Sequence, residues 1–372
     1  MKKLIYVCAC FSLLAQTQLS AQNATRPRAI KVANEYSTTR KEINIPQIDG
    51  YVPLKCDFHI HTMFSDGSVW PTVRVQEAWE EGLDVIAITD HLEYRPHKAD
   101  HNLSHNRSYE LAEDEAKKKN IVLIKGTEVT RNMPPGHFNL LFIKDADKFD
   151  QPDFMKVMDE AKAQDAFVLW NHPGWGTDST RWHDIHETLY KKGLIHGIEV
   201  FNELEWYPEA LDWVLNKKLT LIGNSDVHGV TNKLYEINET TFRPMTIVLA
   251  KDKSESSVRE AMFAGRTFIY FFGQVMGKED LLRKLFENSV TVGLPHYDTK
   301  DRSYVEVTNH SDIPVKLRSL SNIKGYPSAI DIPGGKSVLV TIPQKNITSD
   351  SPVYEVENYI ISPEKHLQIK LF

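Results

Sequence analysis

Histidines and carboxylates occur together in several short motifs of this sequence, beginning with His59-Ile60-His61. This motif closes an apolar run, residues 54–60, whose composition is typical of a β-strand. Residues i and i+2 of a strand point to the same face, so both imidazoles can bind one metal ion. An isolated pair of this kind is more commonly a surface or core feature. A metal site therefore requires further ligands near this pair.

Further candidate ligands accompany the other β-rich runs. Eight of nine candidates lie close to the carboxyl ends of such runs, and the ninth, His137, opens a run. A single Asp after a strand is usually a helix N-cap, and a single His is usually part of the core. Neither explanation accounts for five histidines along one edge of a fold. The sequence therefore predicts a metal site formed by His59, His61, Asp66, His91, Glu128, His137, His172, Asp226 and His228.

The ligand types indicate the metals and the chemistry. Mixed imidazole and carboxylate sites favour Zn, Mn or Fe over Mg or Ca. Clustered divalent ions lower the pKa of a bound water towards neutrality and can hold phosphate oxygens during an in-line attack. Metal-dependent hydrolysis is therefore the expected reaction.

The elements that must position these ligands alternate between two patterns. Eight β-rich runs cover residues 54–60, 83–88, 121–124, 138–143, 167–170, 198–201, 219–222 and 245–249. Helical patterns lie between them at residues 71–81, 109–119, 154–163, 207–216 and 256–264. This alternation predicts an α/β fold with a parallel sheet, and eight runs without a G-x-G-x-x-G motif favour a TIM-like barrel. The active site of such a barrel lies at the carboxyl ends of its strands.

The pattern of predicted secondary structure changes after residue 295. Short strand-like runs separated by turn residues, without a helical period, predict a small C-terminal all-β domain of the sandwich type over residues 296–372. We assign the barrel to residues 51–295 and a polar lead-in segment to residues 22–50.

Residues 1–21 have the pattern of a signal peptide, with Lys2 and Lys3 before a short apolar run. The run is too short to cross a bilayer comfortably, so no transmembrane segment is expected after cleavage. We expect an exported protein, periplasmic or extracellular. A lipoprotein anchor at Cys10 is disfavoured because the apolar run before it is too short. Cleavage would leave Cys56 as the only cysteine, without a disulfide.

The overall composition excludes several classes of protein. The chain has 372 residues, of which 41% are hydrophobic and 25% are charged, as in ordinary globular proteins. Disordered, collagen-like and multi-pass membrane proteins are therefore excluded. The formal net charge of −6 also argues against the binding of nucleic acid by bulk charge.

The motifs together resemble those of the PHP (polymerase and histidinol phosphatase) superfamily. The similarity covers roughly residues 54–275 and rests on the order, type and strand position of all nine ligands. It implies a distorted (β/α)7 barrel with three divalent ions. By this resemblance, the first ion would be bound by His59, His61, Glu128 and Asp226. The second would be bound by Asp66, His91 and His228, and Glu128 would bridge to a third bound by His137 and His172.

The resemblance implies a phosphoesterase acting on a small phosphorylated substrate, either a phosphomonoester or a nucleotide, through a hydroxide that bridges metal ions. Arg95, His97 and Arg131 lie in loops at the expected rim and are our candidate phosphate contacts, with His97 also the candidate general acid. Two alternatives remain. One is a hydrolase of the amidohydrolase type, which typically uses a carboxylated lysine and a lone final Asp. The other is a non-catalytic binding protein with structural metal, although structural zinc sites are usually closed and four-coordinate.

Overall fold

The structure is a computed structural model that describes residues 39–100, 103–236, 242–321, 323–344 and 351–372. The predicted signal peptide, residues 1–21, and most of the predicted lead-in segment, residues 22–50, lie outside the described residues. No helix in the described ranges is long and apolar enough to cross a membrane.

All eight predicted β-rich runs form strands, because their alternating or continuous apolar side chains are buried on one or both faces. Three further strands, at residues 205–206, 267–271 and 274–277, were not predicted. The strands of this region are β1 (Val52–Asp57), β2 (Val85–Ile88), β3 (Val122–Val129), β4 (Phe138–Leu141), β5 (Phe167–Trp170), β6 (Gly197–Asn202), β7 (Glu205–Trp206), β8 (Thr220–Asn224), β9 (Met245–Ala250), β10 (Thr267–Phe271) and β11 (Gln274–Gly277).

The helices lie between these strands, and five of them match the helical patterns of the sequence. Pro71 begins α1, where its missing N–H costs no hydrogen bond. Asp153 caps α3 by accepting a hydrogen bond of 2.9 Å from the Met155 N–H. The helices are α1 (Pro71–Glu80), α2 (Arg107–Lys119), α3 (Phe154–Ala163), α4 (Asp184–Lys191), α5 (Pro208–Lys217), α6 (Thr231–Tyr235), α7 (Glu255–Phe263) and α8 (Glu279–Ser289).

The sheet is mixed rather than wholly parallel. β1, β2 and β3 pair in parallel, as do β5, β6 and β8, but β4 is antiparallel to both β3 and β5. The segment between β3 and β4 contains no helix, so the chain returns as a hairpin and not as a crossover. The amino end of β4 therefore lies beside the carboxyl ends of β3 and β5. This geometry explains why His137, at the start of a run, can join ligands that follow other runs.

The strands curve towards a barrel, and side chains bridge the place where the main-chain ladder is open. β9 pairs with β1 on one side and β10 on the other. The Thr246 hydroxyl of β9 donates to Gly223 O at 2.8 Å, and the Thr267 hydroxyl of β10 donates to Leu221 O at 2.6 Å. β8 is thus held against β9 and β10 through threonine side chains, which keeps its carboxyl end at the same rim as those of β1, β3 and β5.

The C-terminal region is all β, as predicted, and the predicted α/β fold with an all-β C-terminal domain is confirmed. β12, β13 and β16 form one sheet, while β17 joins β14 and β18 to β11 of the first region. The pairing of β17 with β11 continues the sheet of the barrel into this domain. Its strands are β12 (Val290–Asp298), β13 (Arg302–Asn309), β14 (Val315–Ser319), β15 (Ala329–Ile332), β16 (Ser337–Pro343), β17 (Val353–Ser362) and β18 (Lys365–Lys370).

Candidate metal centre

His59 and His61 follow β1 and lie on the same side of the chain, as their spacing predicts. Ile60 between them is fully buried, and its main chain forms a bridge with Val227. Because side chains alternate along an extended chain, the Ile60 side chain lies on the face opposite to the two imidazoles. The centroids of the His59 and His61 rings are 5.0 Å apart. Both histidines are buried, so water does not compete with a ligand for their ring nitrogens.

Glu128, near the end of β3, lies at the centre of the site. Its Oε2 is 3.3 Å from His59 Nε2, 3.2 Å from His61 Nε2 and 3.0 Å from His91 Nδ1. Its Oε1 is 2.8 Å from His137 Nδ1 and 3.8 Å from His172 Nε2. The two oxygens of one buried carboxylate therefore face two different sets of imidazoles, which is the arrangement required of a bridging ligand.

Asp226 and Asp66 contact the remaining imidazoles. Asp226 follows β8, and its Oδ1 lies 3.1 Å from His59 Nε2 and 3.0 Å from His61 Nε2. Asp66 Oδ1 lies 3.5 Å from His91 Nε2 and 3.3 Å from His228 Nε2. All nine predicted ligands are thus brought together at one rim of the barrel, and we call them the metal cluster.

The ligand atoms fall into overlapping groups that could each hold an ion. Within each group, one ligand atom from every residue lies within 4.8 Å of the others. The groups are His61, Asp66, His91 and His228; His59, His61 and Glu128; His59, His172 and Asp226; and Glu128, His137 and His172. Divalent metals are therefore the expected cofactors of this site.

The hydrogen bonding of the buried polar atoms also indicates a metal site. Eight buried side-chain polar atoms of the described residues form no hydrogen bond of acceptable geometry, and the five of these atoms that belong to the metal cluster face other cluster atoms at ion-pair distance only. They are His61 Nε2, Asp66 Oδ1, Glu128 Oε1, His137 Nδ1 and Asp226 Oδ1. Buried polar atoms without partners are costly, and convergent nitrogen and oxygen donors of this kind are suited to a divalent cation. The residues present fit the implied metal ions.

The electrostatics of the protein without metal show how strongly these groups are coupled. Burial by itself would raise the pKa of Glu128, but the positive charges of His91 and His59 hold that pKa well below its usual range. Burial likewise would lower the pKa of His91, whereas Glu128 and Asp66 raise it to about 10. Protons therefore balance the carboxylates when no cation is bound, and metal binding must displace them.

Glu199 was not among the predicted site residues, yet it supports two of them. Its Oε1 lies 3.0 Å from His59 Nδ1, and its Oε2 accepts a hydrogen bond of 2.9 Å from the His172 N–H. With Nδ1 of His59 held in this way, Nε2 faces Glu128 and Asp226. The signal in the sequence was an acidic residue inside the apolar run 198–201.

Asp90 holds the turn between His61 and Asp66. Its Oδ1 accepts hydrogen bonds of 2.7 Å from the Thr62 N–H and 2.8 Å from the Ser65 hydroxyl. A carboxylate next to the predicted ligand His91 thus fixes the loop that carries the predicted ligands His61 and Asp66.

Two buried arginines brace the loops of the metal cluster. Arg74 of α1 donates to the main-chain oxygens of His61 and His228, at 2.9 and 2.8 Å. Arg243 donates to Asp57 Oδ2 at 3.0 Å, and Asp57 also accepts from the Ser225 N–H at 3.2 Å, next to Asp226. These contacts join the loops after β1 and β8.

The three predicted phosphate contacts, Arg95, His97 and Arg131, differ in what surrounds them. Arg131 lines a cavity of about 270 Å³ together with His137 and His172. Its guanidinium contacts the Glu93 carboxylate and donates to Gln151 O at 2.8 Å.

Arg95 donates to Phe64 O and Leu103 O, both at 3.1 Å, which places it over the loop after β1. His97 is exposed in the turn that follows. The assignment of Arg95, His97 and Arg131 to a phosphate group stays a prediction.

Comparison with known proteins agrees with this geometry. The PHP domain family matches residues 57–197, and an Ig-like domain family matches residues 290–372. A crystal structure from Bacteroides vulgatus, described as a two-domain protein containing a predicted PHP-like metal-dependent phosphoesterase, is 42% identical with a TM-score of 0.85. The alignment covers 90% of this chain and 98% of that one. An uncharacterised protein of Methanocaldococcus jannaschii is 37% identical over 84 residues, which span 22% of this chain and 36% of that protein.

Proposed function

The chain belongs to the PHP family of metal-dependent phosphoesterases, and on this basis we propose that it hydrolyses a small phosphomonoester or nucleotide at a centre of three divalent ions. The observation that carries this proposal is the convergence of buried, unpartnered ligand atoms among the described residues of the metal cluster. Their nitrogens and oxygens converge on shared positions without the geometry of hydrogen bonds, and this arrangement suits a divalent cation.

The overlapping groups suggest how three ions would share the ligands. Asp226 Oδ1 faces both His59 and His61 at one position. Asp66 and His228 belong to a second group, and His137 and His172 belong to a third. Bound divalent ions would supply a nucleophile from water at neutral pH and would hold phosphate oxygens. Glu128 places one oxygen towards His59 and His61 and the other towards His137, so it keeps the positions close together.

The protein's own side chains restrict what can reach these positions. Glu128 is fully buried and Asp226 is mostly buried, whereas His137 and His172 line the cavity of about 270 Å³. The cavity offers a substrate an approach from the side of His137 and His172. The cavity volume lies near the lower end for ligand sites and suits a small ester.

The direct test is phosphate release by the purified protein loaded with Mn, Zn or Fe. We expect about three ions per chain by elemental analysis and turnover of p-nitrophenyl phosphate or a member of a nucleotide panel. His59→Ala removes a buried ligand and is expected to lower kcat by at least about 10³-fold together with metal content. His296→Ala, at an exposed site in the C-terminal domain, is the matched control. Three bound ions without turnover of any ester would contradict the proposal.

We also propose that the protein is exported. The support is the sequence pattern of residues 1–21, with two lysines before a short apolar run. Mass spectrometry of the protein isolated from its native cells is expected to find an amino terminus near residue 22. A chain that retains Met1 in the cell interior would contradict export.

A further inference from the structure

A cavity adjoins the metal cluster on the side of His137 and His172. Its walls come from two loops, the one between β3 and β4 and the one after β5. The cavity of about 270 Å³ exceeds what a phosphate group alone would fill, so it has room for part of the alcohol of a substrate.

Trp175 presents a large aromatic surface at this cavity. It is 57% exposed, and its ring centroid lies 5.5 Å from the ring centroids of both His137 and His172. The Trp175 main-chain N–H donates to His172 O at 2.9 Å, which fixes the backbone of Trp175 next to this predicted ligand. An indole that is exposed beside a polar site offers its open surface to a planar ring.

The opposite loop supplies groups that complement such a ring. Met133 lines the cavity, and a Cβ on Gly136 would lie only 2.6 Å from Met133 Cε, so the glycine allows the thioether to close on the wall. Thioethers make favourable contacts with aromatic rings. The exposed Asn132 amide adds one donor and one acceptor group at the same cavity.

The charges at the cavity do not favour a second phosphate. Arg131 is the arginine that lines the cavity. Its guanidinium contacts the Glu93 carboxylate and donates to Thr130 O and Gln151 O. The charge of this guanidinium is already offset by the Glu93 carboxylate, so it attracts a further anion less strongly than an unpaired cation would. The part of the substrate that enters the cavity is therefore better matched by an uncharged ring.

We propose that Trp175 is a specificity residue that stacks on an aromatic ring in the alcohol part of the phosphate ester. The substrate class is then aryl phosphates and nucleotides, in preference to small aliphatic phosphates. This inference rests on the proposed phosphoesterase function and narrows its substrate.

The test compares matched aromatic and aliphatic ligands on the metal-loaded, full-length protein. Benzylphosphonate and propylphosphonate cannot be hydrolysed as esters, so calorimetry measures their Kd values without turnover. Phenyl phosphate, AMP and propyl phosphate report kcat and KM separately. The variants are Trp175→Ala, Trp175→Phe and, as a control for loss of an exposed aromatic ring, Tyr297→Ala in the C-terminal domain.

We expect wild-type protein to bind benzylphosphonate about ten-fold more tightly than propylphosphonate, as one aromatic stacking contact would give. The Kd ratio should fall to near one in Trp175→Ala and persist in Trp175→Phe and Tyr297→Ala. The kcat/KM ratio of phenyl to propyl phosphate should fall by a similar factor, mainly through KM. Comparing ratios between variants cancels the difference in leaving-group reactivity.

Two outcomes would overturn the inference. One is a Kd ratio that Trp175→Ala leaves unchanged. The other is an equal loss for aromatic and aliphatic ligands, which would mean that the ring only supports His172. If AMP loses affinity with phenyl phosphate, nucleotides belong to the class; if AMP is unaffected, the class is aryl phosphates. Failure to turn over any ester would count against the proposed function, while the phosphonate Kd values would still decide the role of Trp175.

Discussion

Two clusters of buried charged side chains lie next to each other near the end of β1, and they differ in how their polar atoms are satisfied. In the metal cluster, five atoms have no hydrogen-bond partner among the described residues. In the arginine cluster, which consists of Arg74, Arg243, Asp57, Glu77 and Glu81, carboxylates and main-chain oxygens accept from both guanidiniums. The arginine cluster is complete with protein atoms alone. The metal cluster requires cations to complete it.

The comparison also assigns different roles to the clusters. Arg74 donates to main-chain oxygens of the loops that carry metal ligands, and Arg243 holds Asp57 beside Ser225. The arginine cluster therefore stabilises the fold and positions the loops, while the metal cluster is left for chemistry. The predictions on Arg243, Arg74 and Glu199 test this division between stability and metal binding.

The largest expected effect is on stability. Arg243→Met would leave Asp57 and Glu81 buried without their cation, and breaking a buried pair in this way costs about 3–5 kcal/mol. Urea denaturation of the metal-loaded protein measures this free energy of unfolding. Arg318→Met, in a surface pair with Asp331, is the control and should cost no more than about 1 kcal/mol. A similar loss of unfolding free energy in both variants would show that the buried arginine cluster stabilises the fold no more than a surface ion pair does.

A second prediction contrasts a neutral buried histidine with the charged ones. His186 Nε2–H donates to Pro135 O at 2.7 Å, while Nδ1 accepts from the His183 N–H at 3.1 Å. Burial lowers the pKa of His186 to about 4, so the folded state resists the proton that the unfolded state binds below about pH 6.5. Stability is therefore lost as the pH falls from about 6.5 towards 4, by about 2 kcal/mol at pH 5.

The measurement uses metal-free protein. The pKa values of His59, His91, His172 and His228 are raised, so these groups add stability as the pH falls from 7 to about 6. Burial lowers the pKa of His196 to about 4, so that residue removes stability in the same way as His186. The contribution of His186 is therefore the difference between the two proteins: in urea denaturation between pH 7 and 5, the free energy of unfolding of wild-type protein should fall relative to that of His186→Gln. His296→Gln should behave as wild type. An unchanged slope in His186→Gln would exclude His186 as the source.

Much of this architecture could be predicted from the sequence because strand formation and ligand spacing are local properties. The eight apolar runs are β-rich and became strands, and the i, i+2 spacing placed His59 and His61 on one side. The position of His137 was the exception in the pattern. Its cause, the antiparallel direction of β4, depends on pairing between distant strands, and local composition does not determine this pairing.

The supporting residues could not be predicted for a related reason. Arg74 lies in an amphipathic helix where an arginine is ordinarily exposed, and only the tertiary fold turns it towards the oxygens of His61 and His228. Glu199 lies in an apolar run, and its role depends on His59, 140 residues away. The contacts of the Arg95 and Arg131 side chains likewise depend on the conformation of their loops, which the order of the loops in the sequence does not determine.

The third prediction links the two clusters. Arg74→Lys keeps the positive charge but loses the fork that reaches the main-chain oxygens of His61, Val227 and His228 together. Residues that orient metal ligands typically contribute about 10–100-fold to metal affinity, and we expect a loss in that range. Competition with a chelator measures it. Arg318→Lys should bind metal as wild type does. Unchanged affinity in Arg74→Lys would mean that the arginine cluster does not position the ligands.

The smallest effect concerns Glu199, the carboxylate that belongs to neither cluster. Glu199→Gln keeps one oxygen, which can accept from either His59 Nδ1–H or the His172 N–H but not from both, and it removes the negative charge that makes the imidazole a better ligand. We expect about ten-fold weaker metal binding in Glu199→Gln and a larger loss in Glu199→Ala, which loses both contacts. Chelator competition measures the affinity of both variants. If both variants bind metal like wild type, then His59 is oriented by the packing around it, and the metal cluster needs no support beyond the arginine cluster.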